Sequence, residues 1–383
     1  MRGRKYCTLF LLLLFFTGAS MKVEAYEREE RSPEMEELLT QFDFSKMDQS
    51  LSELFPEEKL RFQDVLDLVL SGEQELSGSL VNRLIKDQVG YAYRSCRDNL
   101  IHILVIALVA AVFHQLAGAL KSTQIAEIGF YVLYLLLVAL SLNSFGVVVE
   151  WAAESLEDLT GFMGVFCPLY FLAVTIAKGS VTSAAFYQIV LFLIFLVEVL
   201  IAKVLLPLIH VYMMMNILNH LSNEAYLSRF SKLIETVVSW ALKTLLACVV
   251  GINVIQGMIS PAIDSVKQSV LTRGAEAIPG VGDALGGMAE VALGTAVLIK
   301  NGMGMAGAVF CILICMVPVI QTALIAFLYQ LAAAVIQPVC DPRIAGCIES
   351  VSEGCRLMLK VMSTTALLFL LTIAIVTAVT SMG

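Results

Sequence analysis

Charged residues are scarce in this 383-residue chain: Asp, Glu, Lys and Arg make up 15% of it, whereas hydrophobic residues make up 58%. An ordinary soluble domain carries about 25% charged residues. A soluble fold of this composition would leave large apolar patches in water. The scarcity of charge therefore excludes an ordinary soluble protein and predicts that most of the chain folds in a membrane.

The sequence also lacks the short motifs that mark common enzyme sites. It contains no phosphate-cradling Gly-Lys-Ser/Thr loop, no His-Glu-x-x-His pair and no Gly-x-Ser-x-Gly elbow. Residues 302–307 match the dinucleotide fingerprint Gly-x-Gly-x-x-Gly, but they open a membrane-length apolar run instead of following a buried strand. Small residues that allow close helix contact are the better interpretation. We therefore expect a protein that is not an enzyme and binds no cofactor.

Cysteine and histidine do not form a metal-binding pattern. Only Cys96 of the nine cysteines lies in the segment expected to be exported, which argues against a disulfide framework. Cys311 and Cys315 share a helix face, but they lack acidic or His partners and are interpreted as core residues. The four histidines are too scattered for a metal set: His102, His114, His210 and His220. No metal site is expected.

The N-terminus has the pattern of a secretion signal. Residues 1–25 combine a basic start, an apolar stretch and small residues before a cleavage point, so a cleavable signal peptide is expected, with a retained anchor as the alternative. Residues 26–98 then hold 17 of the 33 acids but 9 of the 25 bases, which is the whole charge imbalance of the chain. This acidic segment is expected outside the cytoplasm and is an improbable partner for nucleic acid.

Within 26–98 the apolar residues recur at three- and four-residue steps, which indicates short amphipathic helices separated by Pro56 and by Ser71-Gly72. Few aromatic residues are available for a core of its own. This small helical extracytoplasmic module is therefore expected to lean on a partner or on the membrane-facing part of the chain.

Residues 99–383 form a multi-span transmembrane helical domain, so the predicted fold is an all-α, polytopic membrane protein. The expected spans are 99–120, 128–149, 159–177, 184–206, 233–255, 303–335 and 359–380. A loop at 150–158 is expected to separate two of them, and three prolines are expected to kink or interrupt helices: Pro168, Pro207 and Pro318. Charges and glycines at 264–300 predict an interfacial helix, a Gly-rich bend and a second short helix.

Charged groups inside apolar runs are the best candidates for a transport pathway, because a buried charge in a membrane is unfavourable. Glu198 and Lys203 lie in the fourth run, Lys243 lies in the fifth, and Asn143 is a polar residue in the second. An autonomous secondary permease would use Glu198 and Lys243 as a coupling pair. Alternatively, both lysines extend toward the lipid head groups while Glu198 is neutral or paired.

Four segments, 140–145, 183–186, 298–301 and 329–338, resemble the stage III sporulation protein AE (SpoIIIAE) family of endospore-forming bacteria. The resemblance covers nearly the whole chain and is weakest in the acidic segment. It implies a multi-pass subunit in the mother-cell (outer forespore) membrane, part of a channel complex with other SpoIIIA-type proteins and a forespore SpoIIQ-type protein. Hydrolysis would be done by a separate ATPase, and no catalytic residue is implied.

Overall fold

The computed structural model describes residues 35, 38–40, 42–55, 61–71, 97, 101–105, 108–109, 112, 123–221, 227–275, 282–338 and 340–379. The predicted signal peptide, most of the apolar run at 99–120 and the predicted bend at Pro279-Gly280 lie outside these residues. All regular secondary structure in the described residues is helical, as the composition predicts.

The helices have the following bounds: α1 (Ser45–Leu54), α2 (Phe62–Ser71), α3 (Thr123–Lys178), α4 (Ser180–Leu196), α5 (Leu206–Leu221), α6 (Ser228–Ala275), α7 (Gly282–Ile336) and α8 (Pro342–Val379). A π-helical segment, Val197–Leu205, joins α4 to α5 without a break. Within the described residues, five segments are long and apolar enough to cross a membrane: Ile128–Ala177, Ser183–His220, Ser228–Ile255, Leu293–Ile336 and Pro342–Ala378.

The predicted loop at 150–158 is wrong, because α3 runs as one helix of 56 residues through both apolar runs. At about 1.5 Å per residue this helix is about 84 Å long, far more than the ~30 Å of a hydrocarbon core. Glu150, Glu154 and Glu157 are exposed while Leu156 and Leu159 are buried. The acids therefore occupy one face of a continuing helix, and the two runs are not two antiparallel spans.

The three prolines do not end their helices, contrary to the expectation for Pro207 and Pro318. Pro168 and Pro318 lie inside α3 and α7. Ahead of Pro207 the π-helical segment widens the turn, so that the Leu206 N–H donates to the carbonyl of Ile201. A π turn of this kind relieves the clash between a proline ring and the preceding carbonyl, and neighbouring helices satisfy the remaining groups.

Helix α8 lies at the centre of the bundle and packs against α3, α5, α6 and α7. It is antiparallel to α7, because the two are joined by a short turn. It is parallel to α3, because Ser141 lies beside Cys347 near one end and Tyr170 beside Thr377 near the other. In the most apolar 18-residue stretch of α7 and of α8, 50% is buried inside the bundle, whereas in the corresponding stretch of α6 28% is buried. Helix α6 is therefore more peripheral than α7 and α8.

Each long helix contains a stretch without any charged residue. In α3, α4, α6 and α8 these stretches are residues 159–177, 180–197, 244–263 and 361–379. In α7 the charge-free stretch is residues 301–336. Hydrogen bonds place them side by side: Ser183 bonds to Phe171, and Asn253 bonds to Thr372. The stretches in α3, α4, α6 and α8 are about 20 residues long, which is the length of a bilayer crossing, and the one in α7 is longer.

Helices α1 and α2, which we term the N-terminal pair, pack on the bundle instead of forming a core of their own. They lie where the sequence predicts short amphipathic helices, and Asp48 Oδ1 accepts a hydrogen bond of 2.8 Å from the N–H of Phe62. The fully buried Phe62 ring lies 5.8 Å from Phe310 of α7 and 6.1 Å from Phe166 of α3. These are ordinary distances for aromatic pairs, so aromatic contacts attach the pair to the bundle.

The glycines at 302–307 make this attachment possible, which confirms that they serve close packing. A Cβ atom on Gly302 would come within 2.7 Å of Leu70 in α2. One on Gly304 would meet Tyr170 and Thr377, and one on Gly307 would meet the ring of Phe166. A side chain at these positions would push α2, α3 or α8 away from α7.

Replacing Gly307 with alanine should destabilise the bundle by roughly 1–3 kcal/mol, because the Phe166 ring is fixed by stacking on Phe162 and Tyr170. Thermal unfolding of the purified chain in detergent measures the change. Gly164→Ala is the matched control, because a Cβ there has no neighbour within 4 Å. Both substitutions gain the same helix propensity, so their difference isolates the steric effect. Equal melting temperatures would show that the contact at Gly307 is not tight.

Candidate functional site: a polar ladder on the central helix

The four residues predicted for a pathway lie on the outside of the bundle. Glu198 and Lys203 are exposed and form an ion pair of 3.7 Å within the π-helical segment. Lys243 and Asn143 are exposed as well. Among the described residues, Glu198 has no ion pair with Lys243. The arrangement therefore resembles the alternative in which Glu198 is paired at the surface.

These charges mark the ends of the charge-free stretches. Glu198 directly follows 180–197 and Lys243 directly precedes 244–263. Asp158 precedes the stretch in α3 and Lys360 precedes the one in α8. Lys360 Nζ donates to Ser239 Oγ of α6, which places the ends of two stretches at one level. Together they form a charged belt around the middle of the bundle.

Polar contacts between helices, most of them buried or half-buried, follow α8 instead, and we term them the polar ladder. At the lower end, nearest the turn from α7, Asn216 Nδ2 of α5 donates to Glu353 Oε2 over 2.5 Å. Tyr212 donates to the same oxygen over 3.5 Å. His220 Nδ1 lies 2.8 Å from the carbonyl of Asn216 and 3.3 Å from Ser350 Oγ. These bonds join α5 to α8 through a half-buried carboxylate.

The next rungs join α8 to α7. Ser352 Oγ donates to the carbonyl of Ala326 over 2.7 Å and lies 3.2 Å from Gln330 Oε1. Arg356 Nη2 donates to the same Gln330 oxygen over 2.7 Å. Gln330 Oε1 therefore accepts from Arg356 and lies beside Ser352, and these contacts with α8 fix the register of the α7–α8 hairpin.

At the upper end the ladder reaches α3, α6 and α7. Asn253 Nδ2 of α6 lies 3.4 Å from Thr372 Oγ1, and the hydroxyls of Tyr170 and Thr377 are 2.8 Å apart. The fully buried Lys300 of α7 donates from Nζ to the carbonyl of Thr377 over 3.4 Å. A cation at the C-terminal carbonyls of a helix is favourable, so Lys300 caps α8.

The ladder depends on small residues that let α5 and α3 approach α8. Gly346, Ser350 and Gly354 recur at four-residue spacing, the pattern of close helix contact in membranes. A Cβ on Gly346 would meet the ring of His220, and one on Gly354 would come within 2.8 Å of Phe145. The sequence reasoning missed the ladder, although this spacing was the signal that could have found it.

Two small voids lie among the described residues, each with a volume of about 10 Å³, room for one water molecule. The described residues contain no group of three or more metal-ligating side chains. Cys311 and Cys315 are buried in α7, as predicted for core residues. What the ladder does is hold five helices in one register.

Asn216→Ala should destabilise the protein by about 1–2 kcal/mol, because it removes a donor from the half-buried Glu353 carboxylate. Unfolding in detergent measures the loss. A double-mutant cycle with Glu353→Ala, which removes the accepting oxygen, separates the coupling of the pair from the single effects. Asn143→Ala, at an exposed asparagine, is the control and should be nearly neutral. If the two effects were simply additive, the contact would contribute nothing to stability.

Comparison with known proteins extends over the ladder and over α2 of the N-terminal pair. A family model described as Stage III sporulation protein AE matches residues 60–380. The protein of that name from Bacillus subtilis (strain 168) is 23% identical over 276 residues, which is 72% of this chain and 69% of that protein. No solved structure matches. Because the match covers most of the sequence, from α2 to the end of α8, the chain belongs to the stage III sporulation protein AE family and has a role in sporulation.

Proposed function

We propose that this protein is a non-enzymatic membrane subunit of the channel complex that connects the mother cell with the forespore. It would reside in the mother-cell (outer forespore) membrane and be needed for forespore development after engulfment. Its partners would be other SpoIIIA-type membrane proteins and a forespore SpoIIQ-type protein. The observation that carries this proposal is the family match over residues 60–380.

The small size of the voids in the described bundle supports a role as one subunit of a larger assembly. The two voids between the described helices each have room for about one water molecule. Neither void is wide enough to serve a single copy as a conduit for a solute. A channel built with this subunit would therefore have its conduit between chains. The protein would supply a rigid wall or scaffold, and a separate ATPase would supply the energy.

The alternative, an autonomous permease, is not favoured by the position of its proposed residues. Glu198 and Lys203 pair on the outer surface, and Lys243 and Asn143 are exposed. A coupling site in a transporter lies at helix interfaces near the middle of the membrane, where it can be reached from either side in turn. Buried polar groups of this bundle bond to neighbouring helices and so stabilise one arrangement.

Deletion of the gene in its endospore-forming host should let engulfment finish and then halt forespore development. Fluorescence microscopy of membrane-stained cells measures engulfment, and the count of heat-resistant spores measures completion. Expression of the wild-type gene from a second locus should restore spores. A deletion strain that makes normal spores would contradict the proposal.

A transport measurement on the purified protein separates the two candidate functions. A purified permease in liposomes would move a solute or ion down its gradient without any partner. We expect no such flux from this protein alone. A reproducible flux that Glu198→Gln abolishes would favour the permease instead.

A further inference from the structure

We propose that the polar face of the N-terminal pair lines a water-filled lumen at the depth of the lipid bilayer, so that this face of the bundle is directed toward the conduit of the assembly. This inference rests on the proposed function, because a lumen needs neighbouring subunits to enclose it. It assigns a side to the protein: one face toward water and the others toward lipid.

The distribution of charged residues along the helices indicates where the bilayer lies. The charge-free stretches of α3, α4, α6 and α8 lie side by side, and each is about as long as a hydrocarbon core is thick, while α7 is free of charge at this level and below it. Charged residues begin together at the belt below them, at Asp158, Glu198, Lys243 and Lys360. A slab of about 30 Å above the belt is therefore the part of the bundle suited to lipid.

Contacts with α3 and α7 determine the depth at which the N-terminal pair lies. Phe62 stacks on Phe310 and lies beside Phe166. Phe166 is eight residues from Asp158 and twelve from Lys178, or about 12 Å and 18 Å along α3. Gly302, higher on α7, faces Leu70 at the other end of α2. Helix α2 therefore extends upward from near the middle of the slab.

At this depth the N-terminal pair presents a polar surface. Its apolar side chains face the bundle, and the following are buried: Phe42, Phe44, Met47, Leu51, Phe62, Val65 and Leu66. The exposed side chains of α1, α2 and the residues flanking them are all polar: Asp43, Ser45, Lys46, Gln49, Ser52, Glu53, Arg61, Gln63 and Asp64. The exposed surface of the pair is therefore hydrophilic along α1 and over the first turn of α2, beyond which the described side chains of α2 are buried or half-buried.

The rest of the slab has the opposite surface. Large apolar side chains are exposed on α3, α4, α6 and α7, for example Leu172, Phe192, Val254 and Val309. Val254 adjoins Asn253, whose bond to Thr372 places it near the level of Phe166, and Val309 adjoins Phe310. At one depth, the bundle thus has apolar faces and a single polar face.

Lipid cannot be the neighbour of that polar face. A charged side chain at the centre of a bilayer is unfavourable by about 2.5–3.5 kcal/mol even on the mildest scale, and the face carries several. The aromatic contacts and the glycines of α7 hold the pair in place, so it cannot move to the membrane surface without breaking them. Water at this depth, on one side of the bundle, requires a lumen.

Thiol accessibility in membranes of sporulating cells tests the inference with the native assembly in place. Gln63→Cys and Val309→Cys form a matched pair, because both positions are exposed and adjoin the stacked rings of Phe62 and Phe310. Val254→Cys on α6 and the native, exposed Cys248 are further lipid-side positions. Membranes are opened so that both sides are reached, and labelled peptides are quantified by mass spectrometry.

We expect Gln63→Cys to react with a charged, water-soluble methanethiosulfonate at least about tenfold faster than Val309→Cys, Val254→Cys or Cys248, because a charged reagent is excluded from hydrocarbon. A lipid-soluble maleimide should label the lipid-side positions. Reaction of all positions with the charged reagent would place this level outside the bilayer and overturn the inference. Reaction of Gln63→Cys with the lipid-soluble reagent alone would overturn it too.

Failure of this inference is distinguishable from failure of the proposed function. The spore count of the deletion strain reports whether the protein is needed for forespore development, whatever the labelling pattern. A strain that needs the protein but shows no charged-reagent labelling at Gln63→Cys would keep the function and lose the lumen. Ser52→Cys, exposed on α1, repeats the test at a second position should Gln63→Cys fail to accumulate.

Discussion

The close approach of helices to α8 is the constraint on which the rest of the structure depends. Tight packing and interhelical hydrogen bonds hold α8 to its neighbours both in the slab suited to lipid and below the charged belt. Gly346, Ser350 and Gly354 give α8 a flat surface, against which His220 and Phe145 lie. The rungs of the polar ladder can then form at bonding distance with every neighbouring helix.

A second set of small residues on α7 connects this bundle to the N-terminal pair. Gly304 and Gly307 seat α7 against α8 and α3, while Gly302 seats α2 against α7. The same few residues therefore determine both the packing of the bundle and the position of the pair. This coupling explains how a short acidic segment with few aromatic residues can have a fixed place: its core is the surface of the bundle.

The sequence was sufficient for the helical class and for the packing role of residues 302–307, since composition and small-residue spacing carry that information. It divided the single helix α3 into two spans, 128–149 and 159–177. It misled at 150–158, where acids suggested a loop, although the four-residue step from Glu150 to Glu154 is helical. The π-helical turn before Pro207 depends on strain relief that no local pattern records. The partners of Asn216 and Gln330 depend on contacts between helices far apart in sequence, so only the fold could reveal them.

Helices α3, α6, α7 and α8 are longer than a bilayer is thick, so part of each helix lies outside the slab suited to lipid. Below the charged belt α3 exposes Ile128, Val132 and Leu135, and α7 exposes Phe327 and Val335. This apolar surface continues beyond the slab suited to lipid, whereas α6 and α8 carry charges at the same level. A single chain with apolar surface outside the bilayer and a polar face inside it is poorly matched to its surroundings on both counts. Association with other subunits, as the proposed function expects, would remove both mismatches at once, because neighbouring chains would cover the apolar surface and enclose water at the polar face.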